Sequence, residues 1–282
     1  MRAQTLRSSC PPGWAIPFFG ALLAAWLFPA NAAPFEDPLP PLPPVRLDVP
    51  YVPTPHSVVR RMLEMAEVQP DDYLVDLGSG DGRIVIAAVR DWDVKSAHGI
   101  DLDPVRVREA RANARVAGVE DRATFEEGDL FEKDFSAATV LTMFLLPGVN
   151  LRLLPVIQET LTPGTRVVSH AFDMGDWEPE QREMVEGNYV FLWIVPARVA
   201  GSWRVSVDDG SEFTLELYQT HQNIHGSAVM PGRVFTLEGT LLRGDQIRFS
   251  IDGQQYAGRI DGDTMQALDD GDVVKGWHAR RL

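Results

Sequence analysis

The sequence predicts an α/β domain, built on a mainly parallel sheet with helices on both faces, followed by an antiparallel all-β domain. Three observations carry this. Between residues 51 and 199 short apolar runs alternate with stretches of helical period, the pattern of a parallel sheet covered on both sides. One of those runs, residues 73–77, leads into Gly78-Ser79-Gly80-Asp81-Gly82 and then an apolar helix start at 84–89, a strand, glycine turn and helix in succession. From residue 200 to 282 the apolar period drops to two, and Asp-Gly pairs at 209, 252, 261 and 270 supply turns. Closing that second sheet into a small barrel, or stacking it as a sandwich, would bury one face of its roughly eight strands.

The 282 residues suit these two domains, and 45% hydrophobic with 23% charged residues is an ordinary globular balance. Forty acidic against 26 basic residues give a net charge of −14, which repels nucleic-acid phosphate, and no basic cluster compensates. Residues 1–32 read as a cleavable signal peptide: Arg2 and Arg7, an apolar stretch from 14 to 28, and Ala30-Asn31-Ala32 before Ala33. The expected location is periplasmic or secreted. Membrane association is expected only if this segment stays uncleaved as an anchor, for which it is short and interrupted by Pro17. Cys10, the one cysteine, lies in the leader, so the mature chain has neither disulfides nor thiol chemistry. Residues 33–50, with Pro40, Pro41, Pro43 and Pro44, form an extended linker.

Taken in order, Thr54-Pro55 is a cap-plus-proline start for a first helix that places Val58, Val59, Met62, Leu63 and Ala66 on one face and ends before Pro70. Strand 73–77 and a helix to about 90 follow. Residues 97–100 form a second strand ending at Asp101, and Asp103-Pro104 starts a helix that Gly118 ends. Residues 123–126 and 138–144 are the third and fourth strands. A helix over 150–161 is broken at Pro155, and 166–171 and 189–195 complete the sheet.

The glycine turn decides the ligand class. With Gly78 and Gly80, a dinucleotide fingerprint needs its third glycine at residue 83, where Arg83 stands. An acidic Asp76 before the first glycine also sits poorly beside a pyrophosphate. The stretch resembles the first motif of class I S-adenosylmethionine-dependent methyltransferases. That resemblance implies that Asp76, Gly78 and Gly80 hold the methionine part of the cofactor, whose sulfonium cation favours nearby carboxylates. Asp101 then falls where both ribose hydroxyls are accepted, and Asp129 where the adenine amine is. Taken alone, Asp129 is equally a turn residue.

Four stretches, 51–55, 76–83, 139–146 and 163–170, narrow the resemblance to small archaeal protein-lysine methyltransferases and to mitochondrial ATP synthase subunit lysine methyltransferases. It implies that Tyr51 and Thr54 line the cofactor pocket from its N-terminal side and that the substrate is a protein lysine. The fourth strand lacks the Asn/Asp-Pro-Pro-Tyr ending that clamps planar amines, so bases are disfavoured as acceptors. Thr142-Met143-Phe144-Leu145-Leu146 is either a channel for the lysine stem or core packing. No catalytic base is assigned and no metal is expected. His170 at a strand end reads as structural before catalytic, His221 with His225 on one strand face is a weak metal signal, and the 269–272 loop is a turn. Methylation of a small molecule, or an exported binding protein that keeps the fold as a scaffold, are the competing readings.

Overall fold

The computed structural model describes residues 51–269 and 271–282. The signal peptide, the proline-rich linker, Cys10 and Asp270 lie outside the described residues. Among those described, no helix is long and apolar enough to cross a membrane.

The first sheet begins with β1 (Tyr73–Leu77), β2 (Ser96–Asp101), β3 (Ala123–Glu127), β4 (Val140–Met143) and β5 (Arg166–His170), all parallel. A hairpin of β6 (Gln181–Val185) and β7 (Asn188–Ile194) adds antiparallel to β5, giving the order β3-β2-β1-β4-β5-β7-β6. Three helices, α1 (His56–Met65), α2 (Arg83–Trp92) and α3 (Pro104–Ala117), cover one face, on which Leu74, Ala97, Val140 and Val168 are buried. A fourth, α4 (Pro147–Thr160), covers the other, packing Leu153 and Ile157 against Val75, Leu77, Leu141 and Trp193. Because strand side chains alternate, Leu74 and Val75 serve opposite cores, and an unbroken apolar strand is what a doubly covered sheet requires. Strand order reverses between β1 and β4, so the crevice beyond their carboxyl ends is the place for a ligand.

The second sheet is antiparallel with nine strands: β8 (Gly201–Val207), β9 (Glu212–Thr220), β10 (Asn223–Met230), β11 (Arg233–Thr236), β12 (Glu238–Arg243), β13 (Gln246–Ile251), β14 (Gln254–Asp261), β15 (Thr264–Ala267) and β16 (Trp277–Arg281). Its end strands, β11 and β12, are consecutive in the chain. The Leu237 amide donates to the Gly226 carbonyl at 2.9 Å and Thr240 Oγ1 to the Ile224 carbonyl at 2.7 Å, so β12 is drawn against β10 and the sheet nearly closes as a barrel. Its interior holds Trp203, Leu215, Phe249, Tyr256 and Trp277. The Asp252-Gly253 turn has both residues at positive φ, 49° and 80°, the mirror-image turn that a tight hairpin needs.

The structure corrects several expectations. Thr54 does not cap α1: Pro55 occupies the cap position and the Thr54 hydroxyl turns elsewhere. The fourth helix starts at Pro147, not 150, with Pro147 in its first turn, and it runs through Pro155. Pro155 lies on the exposed side, where water can serve the carbonyl it leaves without a donor. The edge strand β6 went unforeseen because Arg182 and Met184 are solvent-facing, so it has no apolar period. Finally, the second sheet has nine strands where roughly eight were expected, and His221 lies in the turn between β9 and β10 at φ 53°, apart from the strand face of His225.

Candidate active site

A cavity of about 260 Å³ opens at the carboxyl ends of β1, β2 and β4. Its floor is the glycine turn. A Cβ on Gly78 (φ 74°) would stand 2.7 Å from Leu145 Cδ2, and one on Gly80 (φ 54°) 2.6 Å from the Tyr51 ring, so both glycines are required by backbone angle and by space. Gly82 serves packing instead, since its Cβ would meet Phe125 and Ala110.

Asp76, Asp81, Asp101 and Asp129 all line this cavity. Asp76 is buried and accepts one hydrogen bond, from Thr142 Oγ1 at 2.7 Å. Burial, with the Asp101 and Asp81 charges adding, pushes its carboxyl up to about 7 despite the Thr142 bond. Asp101 receives the Gly80 amide on one oxygen and the Asp103 amide on the other, each at 2.8 Å, which ties the glycine turn to the end of β2. Burial also raises its carboxyl, partly offset by those amides. Asp129 is exposed at the rim and accepts the Phe131 amide at 2.9 Å. Mutually repelling carboxylates around one cavity fit a cationic ligand, and a sulfonium and ammonium group without phosphate matches that donor set.

Tyr51 and Thr54 both line the cavity, on a strap of residues 51–54 that crosses the glycine turn. The Tyr51 ring lies over Gly80, with the Arg106 guanidinium 4.4 Å from its centroid. Arg83 pairs with Asp81 at 2.6 Å and donates to the Thr54 carbonyl at 2.7 Å, so the residue that displaces a dinucleotide glycine binds the strap to the turn. Opposite stand Phe144, Leu145, Leu146, Val149 and Phe172, an apolar wall. All seven residues expected from the sequence, Tyr51, Thr54, Asp76, Gly78, Gly80, Asp101 and Asp129, therefore meet in one cavity. Asp81, Arg106 and Phe172 were not foreseen. Asp81 lies inside the glycine motif, whereas Phe172 follows a strand end with no motif around it.

The histidines lie elsewhere. His170 is buried behind the cavity wall, and burial lowers its pKa. His221 faces Gln158 and Asp176, His225 stacks on Tyr218, and among the described residues no cluster could hold a metal ion.

A family model described as the ANTKMT methyltransferase domain matches residues 76–181. The protein-lysine N-methyltransferase of Saccharolobus islandicus is 52% identical over 151 residues, which are 52% of this chain and 94% of that protein. The mouse adenine nucleotide translocase lysine N-methyltransferase is 37% identical over 136 residues, 48% of this chain and 58% of its own length. Among solved structures, an RNA methyltransferase from Salinibacter ruber in complex with S-adenosyl-L-homocysteine is 53% identical, with a TM-score of 0.51, covering 52% of this chain and 96% of that one. The family match ends before β7, so the barrel lies outside it.

Proposed function

We propose, from the premise that this chain belongs to the protein-lysine N-methyltransferase family, that it transfers a methyl group from S-adenosylmethionine to the side-chain amine of a lysine in a protein substrate. The observation that carries this is the cavity itself, with carboxylates at one end and an apolar wall at the other. Asp76 and Asp101 would hold the methionine and ribose parts, Gly78 and Gly80 would let them approach the backbone, and Asp129 would receive the adenine amine. Tyr51 and Thr54 would cover the cofactor from the strap. When bound, S-adenosylmethionine supplies an electrophilic methyl group on a sulfonium. The chain's own contribution is alignment and exclusion of water: Phe144, Leu146 and Phe172 give a lysine stem apolar surface, and desolvation there favours the neutral, nucleophilic amine. No general base is needed if the amine arrives neutral.

Incubating the protein with methyl-labelled cofactor and cell-envelope or cytosolic extracts tests this. Label released by protease and recovered as methyl-lysine after hydrolysis supports the reading, and Asp101→Ala abolishes it. The Salinibacter relative gives a reason to run RNA beside protein: label sensitive to ribonuclease would replace lysine by RNA as acceptor, against the charge of −14. The leader pattern makes export with cleavage after Ala32 part of the proposal, and a mature protein whose first residue precedes Ala33 would contradict the cleavage.

A further inference from the structure

We propose that His170 is a positioning residue that couples the two walls of the cavity, holding the strap through Thr54 and setting the face of Phe144 through its ring. This rests on the reading above that the cavity takes S-adenosylmethionine. His170 ends β5 and is only 2% exposed. It does not line the cavity, but both of its neighbours do. Its Nδ1 is 3.1 Å from Thr54 Oγ1, and its ring centroid is 3.9 Å from that of Phe144, tilted by 38°. Phe144 in turn stacks at 6.3 Å on Phe172, the next residue of the apolar wall.

Two features argue against plain packing. His170 Nε2 is buried with no hydrogen bond of good geometry, only the Asn188 side chain standing near the ring to favour its charged form, a cost that an apolar residue of similar size would avoid. The cost is offset by what Nδ1 does: among the described residues, the bond to Thr54 is the strap's one hydrogen bond to the sheet. The strap's other ties, from Arg83 to the Thr54 carbonyl and from the Arg106 guanidinium to the Tyr51 ring, lead to the glycine-turn side of the cavity and not to β5. One imidazole thus sets the cover on the cofactor side and the aromatic face on the acceptor side.

A double-mutant cycle tests this. Thr54→Val and His170→Phe each remove the bond, and S-adenosylhomocysteine affinity is read by calorimetric titration beside kcat and KM for methyl transfer. Each single variant is expected to weaken binding about fivefold, the worth of one hydrogen bond, and the double variant no more than either. His170→Asn, whose amide can take the place of Nδ1, is expected to bind within about twofold of wild type while losing about fivefold or more in kcat, because Phe144 has lost its neighbouring ring. Variants that melt lower but bind and turn over like wild type overturn the inference, as does an additive loss of about twenty-five-fold. If His170→Phe does not fold, Thr54→Val leaves β5 untouched and carries the same expectation. Failure of wild type to bind S-adenosylhomocysteine would overturn the functional reading and this inference together, whereas wild-type binding with unmoved variants overturns the inference alone.

Discussion

Asp76→Asn should make the ligand-free protein more stable and the site worse. Moving the Asp76 carboxyl from 3.8 to about 7 means that ionisation is disfavoured in the fold relative to the unfolded chain. At about 1.4 kcal/mol per pH unit, this costs about 4 kcal/mol of stability at pH 8. Because the folded value is the raised one, the associated stability is complete below the unfolded value and is lost as pH rises through about 7. Asparagine keeps an oxygen for the Thr142 hydroxyl and carries no charge. The gain of the variant over wild type should therefore be largest at pH 8 and shrink by about 2.5 kcal/mol on going to pH 5. Urea unfolding of both proteins across that range measures it, and every other titrating group is common to the two. A cationic cofactor should also release a proton from Asp76 on binding near pH 6, visible as a buffer-dependent heat in wild type and absent in the variant. A stability difference that does not change between pH 5 and 8 would refute the assignment of a burial-raised carboxyl, and unchanged S-adenosylhomocysteine affinity would refute its place in the site.

Gly80→Ala adds a Cβ 2.6 Å from the Tyr51 ring at φ 54°, so it should cost about 1–2 kcal/mol in backbone strain and weaken S-adenosylhomocysteine binding at least about tenfold, read by calorimetry. Gly118→Ala has a similar angle, φ 68°, but meets no atom within 4 Å, so it should show the strain in a melt and leave binding unchanged. Arg83→Ala removes the Asp81 ion pair and the tie to the Thr54 carbonyl; cofactor affinity should fall about fivefold or more with a stability loss of about 1–2 kcal/mol, and equal affinity would show that the strap does not need it. Asn150→Ala strips the donor from the Phe172 and Asp173 carbonyls, for about 1–3 kcal/mol in denaturant and a lower kcat as Phe172 loosens.

The readability of this chain followed the number of independent physical signals at each element. The third helix carries a cap, a proline in its first turn and a terminal glycine. All three appear as expected, with Asp103 Oδ1 accepting the Val105 amide at 2.8 Å. At Thr54 the same cap-plus-proline pattern misled, because a buried partner 116 positions away, His170, competes for the hydroxyl. Local geometry alone makes Pro155 a break, while the exposure that makes it tolerable depends on which face α4 buries. The site was legible where each residue had a backbone duty. Gly78, Gly80 and Asp101 are fixed by turn angles and amide bonds, which leave motifs. Phe172 and Arg106 reach the cavity through tertiary packing, which leaves none.

The barrel looks separable by sequence, yet its contacts lead to the wall of the cavity. Phe172 lines that wall, and the chain beyond it runs Asp173, Asp176, Glu178 and Glu180 before β6. Three of these four are gripped from the second sheet. His221 Nε2 lies 3.4 Å from Asp176, Gln222 donates to the Glu178 carbonyl at 2.9 Å, and Arg243 lies 3.3 Å from Glu180. Beneath them Trp177 is buried, stacked on His221 and accepting Trp193 Nε1 on its carbonyl at 2.7 Å. A surface ion pair contributes little to stability, but three contacts and a buried indole on one short segment fix its path. The acidic segment that leaves the apolar wall is thus held by residues outside the family match. A change in barrel sequence at His221, Gln222 or Arg243 therefore acts on the chain that follows Phe172, without touching the carboxylates and glycines that line the cavity.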